Sequence, residues 1–268
     1  ERTAYISATG NAAPKLTING GTFSGGINTI KNDDNATLII NDGTFSNVTQ
    51  DVIQNNNIAT INGGTFNADG YNAFENRYYQ SGYNAGQLTV TNGNFIGNLL
   101  SGDGATTSIF GGTFSDLSAL DYLADGANVT IKLAENTTKD VIIPINGNVN
   151  LDLNGKTFTT VDCGLSVANG ATLTVSDSGT GGKLTSSGTP IRVDGTGSKA
   201  IINNGTIEST NDYGIYAKNN GAIIVNGGTV TSKDAALSGN NTTGNMNFEV
   251  NGGTLTAAQG PAIYMPGQ

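Results

Sequence analysis

Short stretches in which apolar and polar residues alternate, separated by Asn and Gly, run through the whole chain. Between Lys15 and Ile30, Leu16-Thr17-Ile18 has the period of two expected of a half-buried strand. Asn19-Gly20-Gly21 then supplies residues that tolerate positive φ for a tight corner. Thr22-Phe23-Ser24 predicts a second short strand with its Phe inward, and after Gly25-Gly26 a third is predicted over Ile27 to Ile30. The third strand recurs as Val52-Ile53, Ala73-Phe74, Leu99-Leu100, Leu165 to Val167, Ile191 to Val193, Ile215-Tyr216, Ala236-Leu237 and Ile263-Tyr264.

The Asn-Gly-Gly-Thr-Phe phrase and its degraded copies repeat about every 22 residues. The Thr slot is filled by Thr22, Thr44, Thr65, Asn94, Thr113, Thr157, Lys183, Thr206, Thr229 and Thr254, with one faded copy between Thr113 and Thr157. A unit this small cannot bury its own apolar face, so a fixed period of this size predicts stacked rungs. Three short strands per rung specify an all-β fold, a right-handed parallel β-helix (β-solenoid), with roughly eleven or twelve rungs about 4.8 Å apart. Stacking aligns Phe23, Phe45, Phe66, Phe95, Phe114, Phe158, Leu184, Ile207, Val230 and Leu255 into one core ladder. Corner Asn residues 19, 41, 62, 92, 154, 204, 226 and 251 are predicted to form an amide ladder.

Composition narrows the function classes. The chain has 268 residues, 39 of them Gly, and its 21 acids outnumber 12 bases for a formal net charge of −9. With no basic stretch, neither nucleic acid nor an anionic membrane surface is an expected partner. No apolar run is long enough for membrane insertion. Cys163 has no other cysteine to pair with and is expected to be a small buried apolar residue. The Asn-X-Ser/Thr triplets at Asn35, Asn47, Asn128, Asn136, Asn204, Asn240 and Asn241 are read as by-products of Asn and Thr richness.

Three departures from the period carry the remaining information. Asn67 to Gln87 holds Tyr71, Tyr78, Tyr79 and Tyr83 with Asn76, Arg77 and Gln80, an excursion whose flat amphipathic rings suit either sugar stacking and protein contact or packing over the rod. Ser115 to Gly126 spaces Leu117, Leu120 and Leu123 by three, predicting a helical turn between two modules, 1–125 and 126–268, which are also compatible with one continuous stack. The chain opens at a strand, Ala4-Tyr5-Ile6, and stops at another, Pro261 to Met265, without capping helices. Excision from a longer repeat protein explains this, as does end-to-end assembly through Tyr5, Ile6, Ile263 and Tyr264.

Gly111-Gly112-Thr113-Phe114-Ser115, Leu123-Ala124-Asp125-Gly126 and Leu151-Asp152-Leu153-Asn154-Gly155-Lys156-Thr157 resemble the pectate-lyase-like β-helix modules of surface and adhesin proteins from Gram-positive gut bacteria and their phages. The resemblance covers nearly the whole chain. It implies an extracellular, cell-surface or virion-surface location and an adhesive role, and it transfers no binding residues.

Catalysis is not expected. The absence of His excludes His-based triads, although Asn32-Asp33-Asp34 looks superficially like part of a polygalacturonase signature. A calcium-dependent lyase needs several converging carboxylates, and Asp33 and Asp34 are weak metal candidates in what reads as a solvated loop. Arg192 and Asp194 lie on one face of one strand and read as a surface ion pair. Ranks of Thr such as Thr157/Thr159 suit ice binding, but Lys183 and Glu208 interrupt the flat face. The expectation is a shaft or adhesive surface that contacts glycans or a host surface without a cofactor; the alternative is a subunit that stacks into an extracellular filament.

Overall fold

The computed structural model describes residues 4–6, 12–78, 84–240 and 244–266. It contains two compact units, Glu1–Ile131 and Lys132–Gln268. Both are parallel β-solenoids with three strands per rung, about 23 residues per turn and about 10 turns in total, slightly fewer than the period predicts.

In the first unit, one sheet stacks Lys15–Ile18, Thr37–Ile40, Ile58–Ile61, Gln87–Val90 and the start of Thr106–Phe114. A second sheet carries the repeated phrase, with Thr22, Thr44, Thr65, Asn94, Thr113 and Thr130 in register. The third aligns Ala4, Ile30, Ile53, Phe74 and Leu99. Its strand in the Lys15 rung is Ile30–Asn32, and Ile27 is exposed in the bend before it. The predicted strand over Ile27 to Ile30 is thus displaced: Asn28 and Thr29 are buried in the bend, where Thr29 Oγ1 donates to the Ser46 carbonyl of the next rung at 2.7 Å.

The core ladder is as the period predicts. Phe23, Phe45, Phe66, Phe95 and Phe114 stack with ring centroids 5.1, 4.9, 4.8 and 4.9 Å apart. In the second unit Phe158, Leu184, Ile207, Val230 and Leu255 occupy one register. Positive φ is obligatory at the corner before the Phe. Gly64 has φ +104°, and a Cβ there would lie 3.0 Å from the carbonyl oxygen of Gly43, which already accepts from Thr65 N–H at 2.8 Å.

The outer corner ladder is real but its membership differs from expectation. Asn41 donates to Asn19 at 2.7 Å and Asn62 to Asn41 at 2.9 Å, but the next member is Thr91, whose hydroxyl reaches Asn62 Oδ1 at 3.0 Å. Asn92 instead accepts from Gly93 N–H. In the second unit Asn226 donates to Asn203 and Asn251 to Asn226, each at 2.9 Å, so Asn203 replaces Asn204.

A second amide ladder runs inside the first unit. Asn32 Nδ2 donates to Asn55 Oδ1 at 2.6 Å, Asn55 Nδ2 to Asn76 Oδ1 at 2.8 Å, and Asn76 Nδ2 to Thr107 Oγ1 at 2.9 Å. The three Asn residues are fully buried and each also donates to a backbone carbonyl, of Ile58, Asn57 and Thr106 respectively. Their donors and the oxygens of Asn55 and Asn76 thereby escape the desolvation penalty of unpaired polar groups, while Asn32 Oδ1, at the ladder's end, has no partner among the described residues.

The predicted helical turn is a 3-10 helix, Leu117–Tyr122, with Leu117 and Leu120 buried. Asp116 caps it by accepting from Ser118 N–H at 2.7 Å. The segment also closes a strand edge: Gly97, Leu99 and Ser101 N–H donate to Ser115 Oγ, Ser118 Oγ and Tyr122 Oη at 2.9, 2.9 and 3.1 Å. Backbone donors that another strand would otherwise take are thereby satisfied. Cys163 is buried, and burial first of all pushes its thiol above the ordinary range.

The motif Leu151 to Lys156 is a structural turn. Asp152 Oδ1 accepts from Asn154 N–H at 2.9 Å and Ser178 N–H at 2.8 Å, while Oδ2 accepts from Ser178 Oγ at 2.7 Å. Burial opposes ionisation of Asp152, but these bonds and Lys132 hold its carboxyl below the usual range.

Candidate functional site

In the first unit, the excursion is shorter than its sequence spacing implies. Thr65–Asn76 is one continuous strand that contributes to two sheets, so departure from the rung begins only at Arg77. Tyr78 pairs with Ala85 in an antiparallel bridge, and Asn84 turns back onto Asp34 and Asn35 through bonds of 3.1 and 2.9 Å. Tyr71 and Tyr78 are 43% and 42% exposed, consistent with display to a partner. Asn76 is not displayed: it belongs to the buried amide ladder, because it falls on the inward face two residues after Phe74. Tyr79, Gln80 and Tyr83 lie outside the described residues. Among the described residues, Arg77 and Tyr78 are the members of the predicted group that lie where the chain leaves the rung.

Arg77 is also committed. Its Nε lies 2.7 Å from Glu75 Oε1, whose other oxygen accepts from Gln54 at 3.2 Å. Beside Glu75 stands Asp51, held by Asn72 at 2.8 Å, and both acids are 7% exposed. Burial, then the hydrogen bond and charge of Glu75, raise Asp51 to about 7. Although burial opposes it, hydrogen bonds from Asp51, Gln54 and Arg77 keep Glu75 below its usual range. Asp51 therefore holds its proton to higher pH than an ordinary carboxyl, beside a Glu75 that loses its own more readily.

The metal candidates are likewise occupied by protein. Asp33 makes an ion pair with Lys31 at 2.9 Å and accepts from Asn56 at 2.8 Å, and Asp34 accepts from Asn84 N–H. Among the described residues no group of three or more His, Cys, Asp or Glu is placed to hold a metal ion.

A cleft lies in the second unit, on the outer face of its third sheet. Parallel register places Pro144, Ser166, Arg192, Tyr216, Ser238 and Tyr264 in one outward row, one residue per rung. Inward neighbours such as Ile191, Val193, Ile215 and Ala217 are fully buried, which fixes the row's direction. Tyr213, in the turn before Ile215–Lys218, stacks on Tyr216 with centroids 5.8 Å apart and planes 16° apart. Arg192, Asp212, Tyr213, Tyr216, Lys218, Ser238 and Tyr264 are among the residues lining a cleft of about 620 Å³.

The charges in this cleft are unequally committed. Lys218 Nζ lies 3.1 Å from Asp194 Oδ2, and Asp212 Oδ2 accepts from Thr189 Oγ1 at 2.7 Å. Asp194 thus pairs across rungs with Lys218, and the expected Arg192–Asp194 pair does not form. Arg192 is exposed and donates no hydrogen bond among the described residues. Ser238 is 1% exposed, and its hydroxyl has no hydrogen-bond partner there either. Tyr264, expected at an assembly end, lines this cleft at 45% exposure, and Ile263 is 41% exposed. For Tyr5 and Ile6 the backbone pairs with Lys31 and Asn32; their side chains lie outside the description.

Fold and cleft together define a β-solenoid with an aromatic groove on one sheet, lined by charges of both signs. No family model, curated protein or solved structure matches the chain. No helix among the described residues is long and apolar enough to cross a membrane, which says nothing of β-barrels.

Proposed function

We propose that the chain is a non-catalytic extracellular β-solenoid, the shaft or adhesive face of a bacterial or phage surface protein, and that it holds glycans in the cleft of its second unit. The observation that carries this reading is the stacked Tyr213–Tyr216 pair beside Tyr264 and Arg192 in one open groove. Flat rings with polar tips cover sugar faces, while nearby donors engage hydroxyl groups. A non-catalytic role is supported by the lack of His and by the near-complete burial of the Asp51–Glu75 pair. The surface location rests on the resemblance of the Gly-Gly-Thr-Phe and Leu-Asp-Leu-Asn-Gly-Lys stretches to surface-protein modules.

A glycan array probed with the isolated chain, followed by calorimetry, tests the reading. Binding that disappears in Tyr216→Ala at unchanged melting temperature supports it; no binding at millimolar sugar removes it.

A second reading, a subunit stacking end to end into an extracellular filament, is favoured by Val250, Ile263 and Met265, which are 44%, 41% and 53% exposed in the last described turn. Filaments under the electron microscope without glycan binding would replace the adhesive reading with this one.

A further inference from the structure

We infer that the cleft takes a linear acidic polysaccharide extended along the stacking direction of the second unit, about one sugar to a rung. This rests on the glycan-binding reading above and adds the ligand's charge, length and direction to it.

The direction comes from the register. Tyr216 and Tyr264 occupy the same outward row with Ser238 between them. They are two rungs apart, about 10 Å at the usual strand spacing. A hexopyranose in an extended 1,4-linked chain advances by close to one rung spacing. Successive rings in such a chain turn over, so every second ring offers the same face. Aromatic side chains on alternate rungs match that repeat. On the intervening rung, the hydroxyl of Ser238 lacks a partner and lines the same cleft, a polar group that a sugar hydroxyl would satisfy.

The charge comes from Arg192, one rung before Tyr216 in that row. Lys218 is already neutralised by Asp194; Asp212 accepts from the Thr189 hydroxyl at 2.7 Å, which holds its carboxylate in place without removing its negative charge. The guanidinium is the cleft cation that makes no ion pair among the described residues, Asp212 lining the same cleft without reaching it. Its planar fork matches a carboxylate or sulfate in two parallel hydrogen bonds. On a chain of formal net charge −9, any anion held here is held by direct contact with this one guanidinium, against the overall repulsion and the nearby Asp212 carboxylate.

Calorimetry of the full chain with three β-1,4-linked hexasaccharides tests this: neutral chitohexaose, oligomannuronate carrying carboxylates, and sulfated cellohexaose carrying sulfates. Both acidic chains are expected to bind about tenfold or more tighter than chitohexaose, the difference that a charge-assisted contact provides, and to weaken as salt rises. Arg192→Gln, at an exposed position, should bring acidic and neutral chains to similar affinity. Tyr264→Ala should weaken hexasaccharide binding but leave the disaccharide unchanged. Equal affinity for acidic and neutral chains, or for di- and hexasaccharides, overturns the inference while glycan binding stands. No binding of any of the three overturns both.

Discussion

Asn55 Nδ2 donates to Asn76 Oδ1 at 2.8 Å in the closed interior of the first unit, where both side chains are completely buried. Each amide joins one rung to the next and also ties down a loop carbonyl. Replacing Asn55 with Leu removes both functions, leaving Asn76 Oδ1 and the Asn57 carbonyl without their donor and Asn32 Nδ2 without its amide acceptor. The expected loss is about 2–4 kcal/mol from at least two stranded buried groups. Asn41→Ala, in the exposed ladder, should cost under about 1 kcal/mol. Urea denaturation of both variants checks the contrast, and equal losses would show that burial does not set the ladder's value.

The Phe stack makes a second prediction. Phe66 is sandwiched between Phe45 and Phe95, so Phe66→Ala opens a cavity that strips the facing ring from both neighbours. A destabilisation of about 3–5 kcal/mol is expected. Phe66→Leu should cost much less, because the second unit already places Leu184 in that slot beside Phe158. Thermal and urea unfolding of the two variants would separate core volume from ring stacking.

The Asp51–Glu75 pair should make stability depend on pH in a definite direction. Asp51 has its folded value raised to about 7 from an ordinary 3.8, so between these values the folded chain holds a proton the unfolded chain has released. Its contribution is full below about pH 4 and is lost as pH rises towards 7. Glu75, lowered from 4.5, acts oppositely: its contribution is present above that value and lost as pH falls through its folded value. Melting temperature should therefore decline from pH 5 to pH 8, and Asp51→Asn should flatten the decline. A wild-type curve that rises over that range would contradict the upward displacement of Asp51.

Asp152 anchors three donors in the turn that carries the Leu-Asp-Leu-Asn-Gly-Lys stretch. Asp152→Ala should destabilise the second unit by about 2–3 kcal/mol and leave glycan binding unchanged in protein that remains folded, since Asp152 does not line the cleft. Calorimetric melting paired with a binding titration checks both halves.

Stacking and core are legible in the chain because the Phe, Thr and Gly positions repeat at the rung period and alternate at period two. Asn76 is misleading because a polar residue in a Tyr-rich stretch suggests an outward position, while its spacing from Phe74 makes it inward. Asn32, Asn55 and Asn76 recur at the same period as the Phe residues, so aligning rungs is enough to find the interior ladder. The cleft is hidden for a related reason. Along its own strand Arg192 faces the same way as Asp194, whereas its neighbours in space are Ser166 and Tyr216 on adjoining rungs. Loop paths such as the turn that sets Tyr213 on Tyr216 have no period, and only coordinates reveal them.

The Gly corners have a consequence for how such a chain can change. At Gly112, with φ +119°, a Cβ would come within 3.0 Å of the Gly93 carbonyl, so each corner is constrained by the rung before it and constrains the one after. Point substitution at a corner therefore disturbs two turns at once, while insertion or deletion of a complete turn leaves every surviving junction alike. The heritable unit of variation in this architecture is the whole coil, and the length of the protein is easier to alter than the shape of any one bend.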